Sequence, residues 1–507
     1  MEDESELLAL RRARLDTWRE MGIDPFGEAF PGTETCRQVI DGYADERPVR
    51  IAGRLISKRE MGKNVFAHIQ DESGKLQVYA QVQGLGDKFA YWKLLDIGDF
   101  IGGEGTLFVT KTGEKTVRLS DLKILSKSLR PIPSQWYGLA DVEQRYRQRY
   151  VDLIVNEEAR KVLLLRSRIV REIRRFFEER AFTEVETPMM QTIAGGAAAR
   201  PFVTKHNALG IDLYMRIAPE LYLKRLLVGG FTKVFEINRN FRNEGISRRH
   251  NPEFTMLEAY WAYADFEAMA QLVEDLITTV AQNVIGTLQV GGRPASEDGT
   301  VAALPPIDLT GPWPRKKYRD LVRDAVKDKT GHEWFELGAE HQRQLCENDL
   351  GVEISPAMAD FEVTNQVFEK LVEAKTRDPL FVTHLPAELV PLAKQNSADP
   401  TVVDVFELII GGQEVAPGYS ELNNPVVQRE RLQHQAGEEQ QNLDEDFLAA
   451  LEYCMPPAVG IGLGIDRLVM TLTGAESIRD VILFPLLKPK VVPSSTKDGI
   501  LPNNVDE

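Results

Sequence analysis

Hydrophobic and polar residues change their spacing along the chain. The N-terminal residues MEDESELLALRRARLDTWREMG place apolar positions among many charges at helical spacing, which predicts an amphipathic helix. Residues 48–127 instead alternate apolar and polar positions in short runs, with turns at Ser73-Gly74 and Thr112-Gly113. Five such strands in about 80 residues predict a small closed barrel such as an OB-fold.

The longest part of the chain mixes helical and strand-like patterns. Helices are predicted around 157–181 and 265–286, and strands at 213–217, 233–237 and 253–260. Strands gathered with helices to one side predict an α+β fold rather than a doubly wound parallel sheet. The predicted boundaries are 1–47 for an N-terminal helical extension, 48–130 for the OB-fold barrel, 131–150 for a linker, 151–489 for a large domain with a helical insertion at about 316–378, and 490–507 for a flexible tail.

Composition and charge limit the class of protein. The 507 residues carry 61 Lys and Arg against 77 Asp and Glu, a formal charge of −16, which argues against a general nucleic-acid coat protein. Residues 49–127 differ, because 13 basic side chains outnumber 9 acidic ones there. No apolar run is long enough for a membrane span, and the N-terminus lacks a secretory signal. Three scattered cysteines without metal spacing fit a reducing compartment, so we expect a cytoplasmic protein without a membrane partner.

The strongest chemical signal is the segment FRNEGISRRHNPEFTMLEAY at 241–260. Arg242 and Glu244 have the spacing of side chains on one strand face, and a loop with Arg249 and His250 follows. A second strand is predicted from Pro252, and one of its faces would present Phe254, Met256, Glu258 and Tyr260. This set suits a nucleotide, because Arg neutralises phosphate oxygens and an aromatic ring stacks on a base. A charged hairpin exposed to solvent is the alternative.

Two other segments carry candidate chemistry. GIGLGIDRLVMTL at 460–472 has glycines at alternate positions, which leave one strand face bare for a flat ligand, and it places Arg467 at the start of a helix. A strand packed closely on a helix is the alternative. Glu407, Glu414 and Glu421 recur in VFELIIGGQEVAPGYSELNN, and carboxylates beside a nucleotide suggest Mg²⁺; surface acids are the alternative. P-loop, serine-hydrolase and zinc-binding motifs do not occur in the sequence.

Together these elements resemble class II aminoacyl-tRNA synthetases. FTEVETPMM resembles motif 1 of that family, FRNEGISRRHNPEFTMLEAY resembles motif 2, and GIGLGIDRLVM resembles motif 3. The N-terminal barrel is similar to that of the subgroup that charges aspartate, asparagine and lysine. Strings such as RYRQRYVDLI and MRIAPELYLKRLLVGGF are most similar to its bacterial, lysine-charging members.

The resemblance implies a fold, a reaction and an assembly. The fold is an antiparallel sheet with flanking helices, and the assembly is a homodimer formed through motif 1. The reaction is ATP-dependent activation of L-lysine to lysyl-adenylate, followed by transfer to the 3′ end of tRNA(Lys), without a covalent enzyme intermediate. Glu407 and Glu414 match the positions that hold Mg²⁺ in the family.

The resemblance also assigns residues to the ATP side of the site. Arg242 would bridge the lysine carboxylate and the α-phosphate, and Arg467 would clamp the γ-phosphate; both are the expected catalytic residues. Glu244 and Phe254 would hold adenine, and His250 would contact the phosphates. Catalysis would then consist of positioning and electrostatic stabilisation.

The lysine side is implied by five further positions. Gly196 and Glu220 would take the α-amino group, and Glu258, Tyr260 and Glu421 would bind the ε-ammonium. An ammonium in a dry pocket needs carboxylate partners, because an unpaired buried charge is very costly. An aspartate pocket would need cations at these positions instead.

In the barrel, Phe66 and Gln77 match positions that the family uses on the anticodon. An aromatic ring and a side-chain amide are suited to reading unstacked RNA bases. Lys58 and Arg59 are expected to contact phosphate. A place for Phe66 in the barrel core is the alternative.

The sequence departs from the family pattern at four residues. Ala181 stands where motif 1 usually has Gly, and Val390 stands where a small hydroxyl residue is usual. Ala416 and Pro417 replace a common Gly-Asn pair. Because Pro417 removes an amide donor near the expected substrate pocket, we expect altered affinity for lysine or for its analogues.

Other functions remain open on the sequence alone. An aspartate or asparagine ligase of the same architecture is disfavoured by Glu258 and Glu421. A paralogue that modifies a protein would lack the anticodon barrel. A non-catalytic RNA-binding protein is disfavoured because Arg242, Glu407 and Arg467 are intact.

Overall fold

The computed structural model describes residues 2–133, 141–197, 199–293, 302–434 and 444–489. The chain forms two compact units, Met1–Asn156 and Glu157–Glu507. The predicted tail at 490–507 and residues 134–140 of the predicted linker lie outside the described residues. No helix in the described ranges is long and apolar enough to cross a membrane.

The first unit contains helices around a five-stranded barrel. Its helices are α1 (Glu2–Glu20), α2 (Cys36–Asp41), α3 (Val82–Leu85), a 3₁₀ segment at Gly86–Lys93, α4 (Val142–Arg147) and α5 (Arg149–Val155). Its strands are β1 (Pro48–Met61), β2 (Asn64–Gln70), β3 (Lys75–Gln81), β4 (Phe100–Val109) and β5 (Lys115–Ser126). They close in the order β1-β2-β3-β5-β4, so the predicted OB-fold barrel is confirmed.

Alternation along the strands builds the barrel core. In β2, Val65, Ala67 and Ile69 are each 1% exposed and point inward, whereas Phe66 and His68 between them are only partly buried. Phe66 is therefore outside the core. In the predicted linker, residues 142–150 contribute to α4 and the start of α5, and the Asp141 carboxylate caps α4.

The second unit is built on an eight-stranded sheet. Its strands are β6 (Thr183–Glu184), β7 (Met190–Gln191), β8 (Val203–His206), β9 (Ile211–Met215), β10 (Lys233–Phe241), β11 (Glu253–Ala262), β12 (Gln289–Val290), β13 (Ile307–Asp308), β14 (Arg315–Lys317), β15 (Leu380–Thr383), β16 (Val405–Ile409), β17 (Glu414–Ser420) and β18 (Ala458–Gly464). The large sheet has the order β14-β15-β16-β17-β18-β11-β10-β6, and β7-β9-β8 and β12-β13 form two small sheets. Apart from the parallel pairs β14–β15 and β6–β10, the large sheet is antiparallel. The α+β prediction is confirmed.

Helices pack on both faces of this sheet and form the insertion. They are α6 (Glu157–Glu178), α7 (Glu220–Val228), α8 (Phe266–Val280), α9 (Tyr318–Thr330), α10 (Ala339–Leu345), α11 (Asp360–Leu371), α12 (Pro425–His434), α13 (Glu445–Glu452), α14 (Ile465–Thr473) and α15 (Ile478–Val481). Short 3₁₀ segments lie at Trp334–Glu336 and Glu373–Lys375, and π-helical turns at Ala281–Ile285 and Cys346–Leu350. Apolar residues of α6, α8 and α14 pack with the sheet in one core cluster. Polar side chains of the site occupy the opposite face, which carries Tyr260 and on which α7 and α13 lie.

Three boundaries differ from the sequence expectation. Helix α6 ends at Glu178 rather than near 181, because the backbone turns left-handed at Ala181 (φ 61°) and Phe182 N–H bonds back to Phe177 O at 3.1 Å. Helix α8 ends at Val280 and continues as a π-helical turn to Ile285. Residues 316 and 317, expected to be helical, belong to edge strand β14.

Candidate active site

The floor of the candidate site is the glycine strand β18. It lies between β11 and β17, and its alternate residues Gly460 and Gly462 face Tyr260 and Glu258 across the β11 ladder. A Cβ at Gly460 would overlap the Glu421 carboxylate, whereas one at Gly462 would meet nothing closer than the Met256 sulfur at 3.7 Å. The bare strand therefore opens a trough between the side chains of its two neighbours.

The hairpin in front of this floor differs from its predicted form at one end. Strand β10 stops at Phe241, so Arg242 and Glu244 lie in the following loop rather than on a strand face. Arg242 N–H still donates to Pro252 O at 2.9 Å, but Pro252 has no N–H with which to continue the ladder. Because the loop is no longer paired in the sheet, the side chains of Arg242 and Glu244 can line a cavity.

A cavity of about 200 Å³ gathers most of the residues expected to contact ATP. We call it the arginine cavity; among the residues that line it are Arg242, Glu244, Arg249, His250, Phe254, Thr255, Met256, Glu414, Pro417, Asp466 and Arg467. The Arg242 guanidinium lies 5.2 Å from the Phe254 ring centre. Residues of the motif 2 segment, of the motif 3 segment and of strand β17 thus line the same cavity.

Hydrogen bonds orient the cations of the arginine cavity. Arg467 donates to the Glu414 carbonyl at 2.7 Å and lies 3.4 Å from His250 Nε2, while His250 Nδ1 contacts the Ser247 hydroxyl at 2.9 Å. Desolvation and the positive charge of Arg467 lower the pKa of His250 below its usual value. A neutral imidazole here leaves the guanidinium groups as the main anion-binding charges.

A second cluster, the acidic pocket, consists of Glu220, Glu258, Tyr260 and Glu421 with a lysine among them. Lys224 is fully buried on α7, and its Nζ contacts Glu220 at 2.6 Å and Glu421 at 2.5 Å. Desolvation lowers the pKa of Lys224, but the charges of Glu220 and Glu421 outweigh it and raise that pKa above its ordinary value. Lys224 therefore stays charged.

Glu258 is the acid of this pocket that is held most loosely. Its carboxylate accepts a hydrogen bond from the Tyr260 hydroxyl at 3.1 Å and is 7% exposed. Desolvation and the nearby charge of Glu220 raise the pKa of Glu258 to about 8. By contrast, its neighbour Glu236 forms a buried ion pair with Arg216 at 2.7 Å. The ionised form of Glu258 is therefore unfavourable in the free protein, and a cationic ligand would stabilise it.

Three further residues surround Glu220: the predicted Gly196 and Glu421, and Tyr419, which was not predicted. Gly196 has φ 88°, and a Cβ there would come 3.2 Å from the Glu220 Cβ, so its bare backbone lies against this acid. Glu421 is 1% exposed, and desolvation raises its pKa to about 8 against the opposing charge of Lys224. Tyr419 donates its hydroxyl to Glu220 at 3.0 Å.

The departures from the family pattern have different surroundings. Pro417 lines the arginine cavity and faces Glu407 across the β16–β17 ladder. Ala416 is fully buried in the core on the opposite face of the sheet. Val390 packs against the apolar cluster of the insertion. Of these three, only Pro417 is in a position to touch a ligand in the cavity.

Carboxylates accumulate near the predicted metal ligands. Desolvation, Glu414, Glu373 and Glu369 together raise the pKa of Glu407 well above its ordinary value. Within the described ranges, no group of three or more His, Cys, Asp or Glu is arranged to hold an ion alone. Mg²⁺ commonly takes one or two carboxylates and completes its shell with phosphate oxygens and water, so Glu407 and Glu414 fit that mode.

On the barrel, aromatic rings form a continuous outer surface. Phe66 lies 4.6 Å from Tyr79, and Tyr79 lies 5.7 Å from Phe108, measured between ring centres. The Arg118 guanidinium lies 4.7 Å from the Phe108 ring. Half-buried rings beside a cation are suited to stacking on unpaired bases.

Polar groups at the edge of these rings include both predicted and unpredicted residues. Gln77 donates to Glu114 at 2.7 Å and accepts from Thr116 at 2.7 Å. Arg59 is exposed and pairs with Phe66 in the strand register. Lys58 instead donates to the carbonyls of Trp92 and Leu95 and contacts Glu60 at 3.0 Å. Its ammonium is thus engaged with the barrel itself.

Sequence reasoning missed Lys224, Tyr419 and Glu114. Glu220 and Lys224 stand four apart, a pattern that usually marks a solvated helix pair, so nothing local signals their burial. Tyr419 follows the departures at 416 and 417, and Glu114 sits in a turn-like TGEK sequence. Their roles depend on strand register, which short-range patterns do not fix.

Comparison with known proteins agrees with this geometry. Residues 141–488 match the family described as tRNA synthetases class II (D, K and N), and residues 49–125 match the OB-fold nucleic acid binding domain. The chain is 51% identical to lysine–tRNA ligase of Pelotomaculum thermopropionicum, covering 96% of each chain. It is 51% identical to the ligase of Carboxydothermus hydrogenoformans (96% and 99% covered) and 45% to that of Staphylococcus saprophyticus (96% and 100%). The chain therefore belongs to the class II tRNA synthetases of the D, K and N group.

Proposed function

We propose that this protein activates L-lysine with ATP to lysyl-adenylate and transfers the lysyl group to the 3′ end of tRNA(Lys). The observation that carries the proposal is the acidic pocket beside the arginine cavity. Glu258 and Phe254 project from the same face of β11, so an amino acid and a nucleotide would lie side by side along one strand. The lysine–tRNA ligase relatives support the same activity.

Charge supports lysine over a neutral or acidic amino acid. Around the acidic pocket, the carboxylates Glu220, Glu236, Glu258 and Glu421 face the cations Arg216 and Lys224. With all groups ionised, two negative charges remain unbalanced. The two ammonium groups of lysine would match that excess, whereas the side chain of aspartate would add to it.

The first chemical step would use the cations of the arginine cavity. A lysine carboxylate oxygen attacks the α-phosphorus, the bond to the β-phosphate oxygen breaks, and diphosphate leaves. Arg242 would hold the attacking carboxylate and the α-phosphate together, while Arg467 and His250 would orient the leaving phosphates. Mg²⁺ held by Glu407 and Glu414 would neutralise phosphate charge.

The second step would need tRNA. Its terminal hydroxyl attacks the adenylate carbonyl, and AMP leaves. We propose that Phe66 and Gln77 contact the anticodon together with Glu114, and that Lys58 and Arg59 contact phosphate beside it. We also propose a homodimer formed through the segment that resembles motif 1, FTEVETPMM, working in the cytoplasm where tRNA is charged.

Amino-acid-dependent exchange of diphosphate into ATP tests the proposal. Lysine should support exchange, and aspartate and asparagine should not. Glu258→Gln should lose the lysine-dependent signal, while the matched control Glu340→Gln, on an exposed face of α10, should keep it. Exchange with only aspartate or asparagine would favour a ligase for that amino acid. No exchange with any of them would favour a non-catalytic RNA-binding protein.

A further inference from the structure

Arg166 on helix α6 connects three separate segments of the second unit. Its Nη1 donates to the Asp466 carboxylate at 2.5 Å and to the Val481 carbonyl at 3.2 Å. Its Nη2 donates to the Thr255 hydroxyl at 2.9 Å. One guanidinium thus joins helix α14 and strand β11, with a further contact at α15.

The two segments joined by Arg166 adjoin each other and both line the arginine cavity. Asp466 precedes Arg467 on α14, and Thr255 follows Phe254 on β11. The link is closed by a direct bond, since Thr255 N–H donates to the second Asp466 oxygen at 2.8 Å. The cavity is lined by Thr255 and Asp466 but not by Arg166.

The contacts among Arg166, Asp466 and Thr255 are shielded from water, which strengthens the electrostatic interactions between them. Asp466 is 2% exposed and Thr255 is 9% exposed, and the Arg166 side chain is 14% exposed. Charge-assisted hydrogen bonds in such surroundings hold their partners tightly. Without the guanidinium, the buried Asp466 carboxylate would keep, among the described residues, only its hydrogen bond from Thr255 N–H. We therefore expect α14 to shift relative to β11.

The acidic pocket has its own, separate supports. Glu220 and Glu421 are bound by Lys224, and Glu236 by Arg216. These ion pairs do not include Arg166. A change at Arg166 should therefore affect the nucleotide side of the site before it affects the lysine side.

We propose that Arg166 is a positioning residue for the nucleotide: it sets the separation between Phe254 and Arg467 without touching the ligand. The proposal rests on the proposed function only for the identity of the reaction. The geometry itself concerns ATP in the arginine cavity, and ATP binding can be measured without lysine or tRNA.

The test compares Arg166→Met and Arg166→Lys with Arg323→Met, a control at an exposed arginine on helix α9 of the insertion. Calorimetry gives the Kd for ATP alone, and exchange kinetics give KM for ATP and for lysine. We expect Arg166→Met to raise both ATP constants about tenfold or more, with lysine KM changed by less than about twofold. Arg166→Lys should recover part of the loss because an ammonium can still bond one of the three acceptors, although it lacks the planar fork of the guanidinium. Arg323→Met should match the unmodified chain.

Equal rises in the ATP and lysine constants, or an unchanged Kd for ATP, would overturn the proposal in favour of a merely structural role. If Arg166→Met does not fold, Thr255→Val removes only the hydroxyl acceptor and should still weaken ATP binding selectively. If the unmodified chain binds ATP but shows no lysine-dependent exchange, the proposed function fails while the ATP comparison still decides on Arg166.

Discussion

Replacing Glu258 by Gln should stabilise the free protein and disable it. The carboxylate sits in a desolvated pocket that raises its pKa to about 8 from an ordinary value of 4.5. That difference corresponds to about 5 kcal/mol as an upper estimate of the cost of ionising Glu258 in the folded chain. Gln keeps the size of the side chain and carries no charge.

The sign of the pH dependence follows from the raised pKa. The folded state favours the protonated carboxyl, so this contribution to stability is fully present below pH 4.5 and is lost as pH rises through about 8. Glu258→Gln should therefore match the unmodified protein near pH 5 and exceed it increasingly toward pH 9. Glu421 is present in both proteins, so the contribution of its raised pKa to the difference in unfolding free energy largely cancels.

Urea unfolding at pH 5, 7 and 9 measures the first half of the prediction. We expect the free energy of unfolding to differ by less than about 1 kcal/mol at pH 5 and by several kcal/mol at pH 9. The exposed control Glu340→Gln should show no such trend. Lysine-dependent exchange measures the second half, and removing the carboxylate partner of a buried ammonium should cost more than about a hundredfold.

Proton release offers an independent check. Near pH 7 the free protein should hold a proton on Glu258, and a bound ε-ammonium should displace it. Calorimetry in two buffers of different ionisation enthalpy should then report release of about one proton or more per lysine bound, since the pKa of Glu421 is also raised to about 8. A stability difference independent of pH, or lysine binding without proton release, would refute the reasoning about Glu258.

Three further changes test other parts of the site and fold. Ala181→Gly should raise the free energy of unfolding by about 0.5–1 kcal/mol in urea titrations, because glycine relieves the left-handed backbone at φ 61°; no gain would mean that the alanine is unstrained. Gly462→Ala should fold normally but raise substrate KM about tenfold, because its methyl enters the trough, unlike Gly338→Ala, which meets open space. Pro417→Asn should change lysine KM severalfold, and an unchanged value would mean that Pro417 is peripheral.

Local patterns predicted the parts of this fold that depend on neighbours in sequence. The alternation of apolar and polar residues predicted the barrel strands, and the glycines of β18 implied a bare strand face. Glu258 could be predicted as a lysine-binding residue because its segment resembles motif 2 of the family. The convergence of Arg242, Phe254 and Arg467 followed from the same resemblance rather than from any residue spacing.

Other features depend on distant partners and could not be predicted. Lys224 has an unremarkable position four residues after Glu220, and only the arrival of Glu421 from another strand reveals a buried cation. The end of β10 was misplaced because Arg242 and Glu244 keep a strand-like spacing after the ladder has ended at Pro252. In each case the sequence specifies a side chain, while its surroundings come from elsewhere in the chain.

The glycine floor also has a consequence for positional accuracy. Ligand pockets are commonly lined by side chains that exchange between rotamers, and each exchange moves the contact surface. At Gly462 the surface is backbone, and the preceding residues of β18 pair with β11 on one side and with β17 on the other. The distance of a bound ligand from the sheet is therefore set there by the backbone rather than by a side chain. Since a displacement of about 1 Å can slow a reaction about a hundredfold, a floor without rotamers removes one source of error in aligning the reacting atoms.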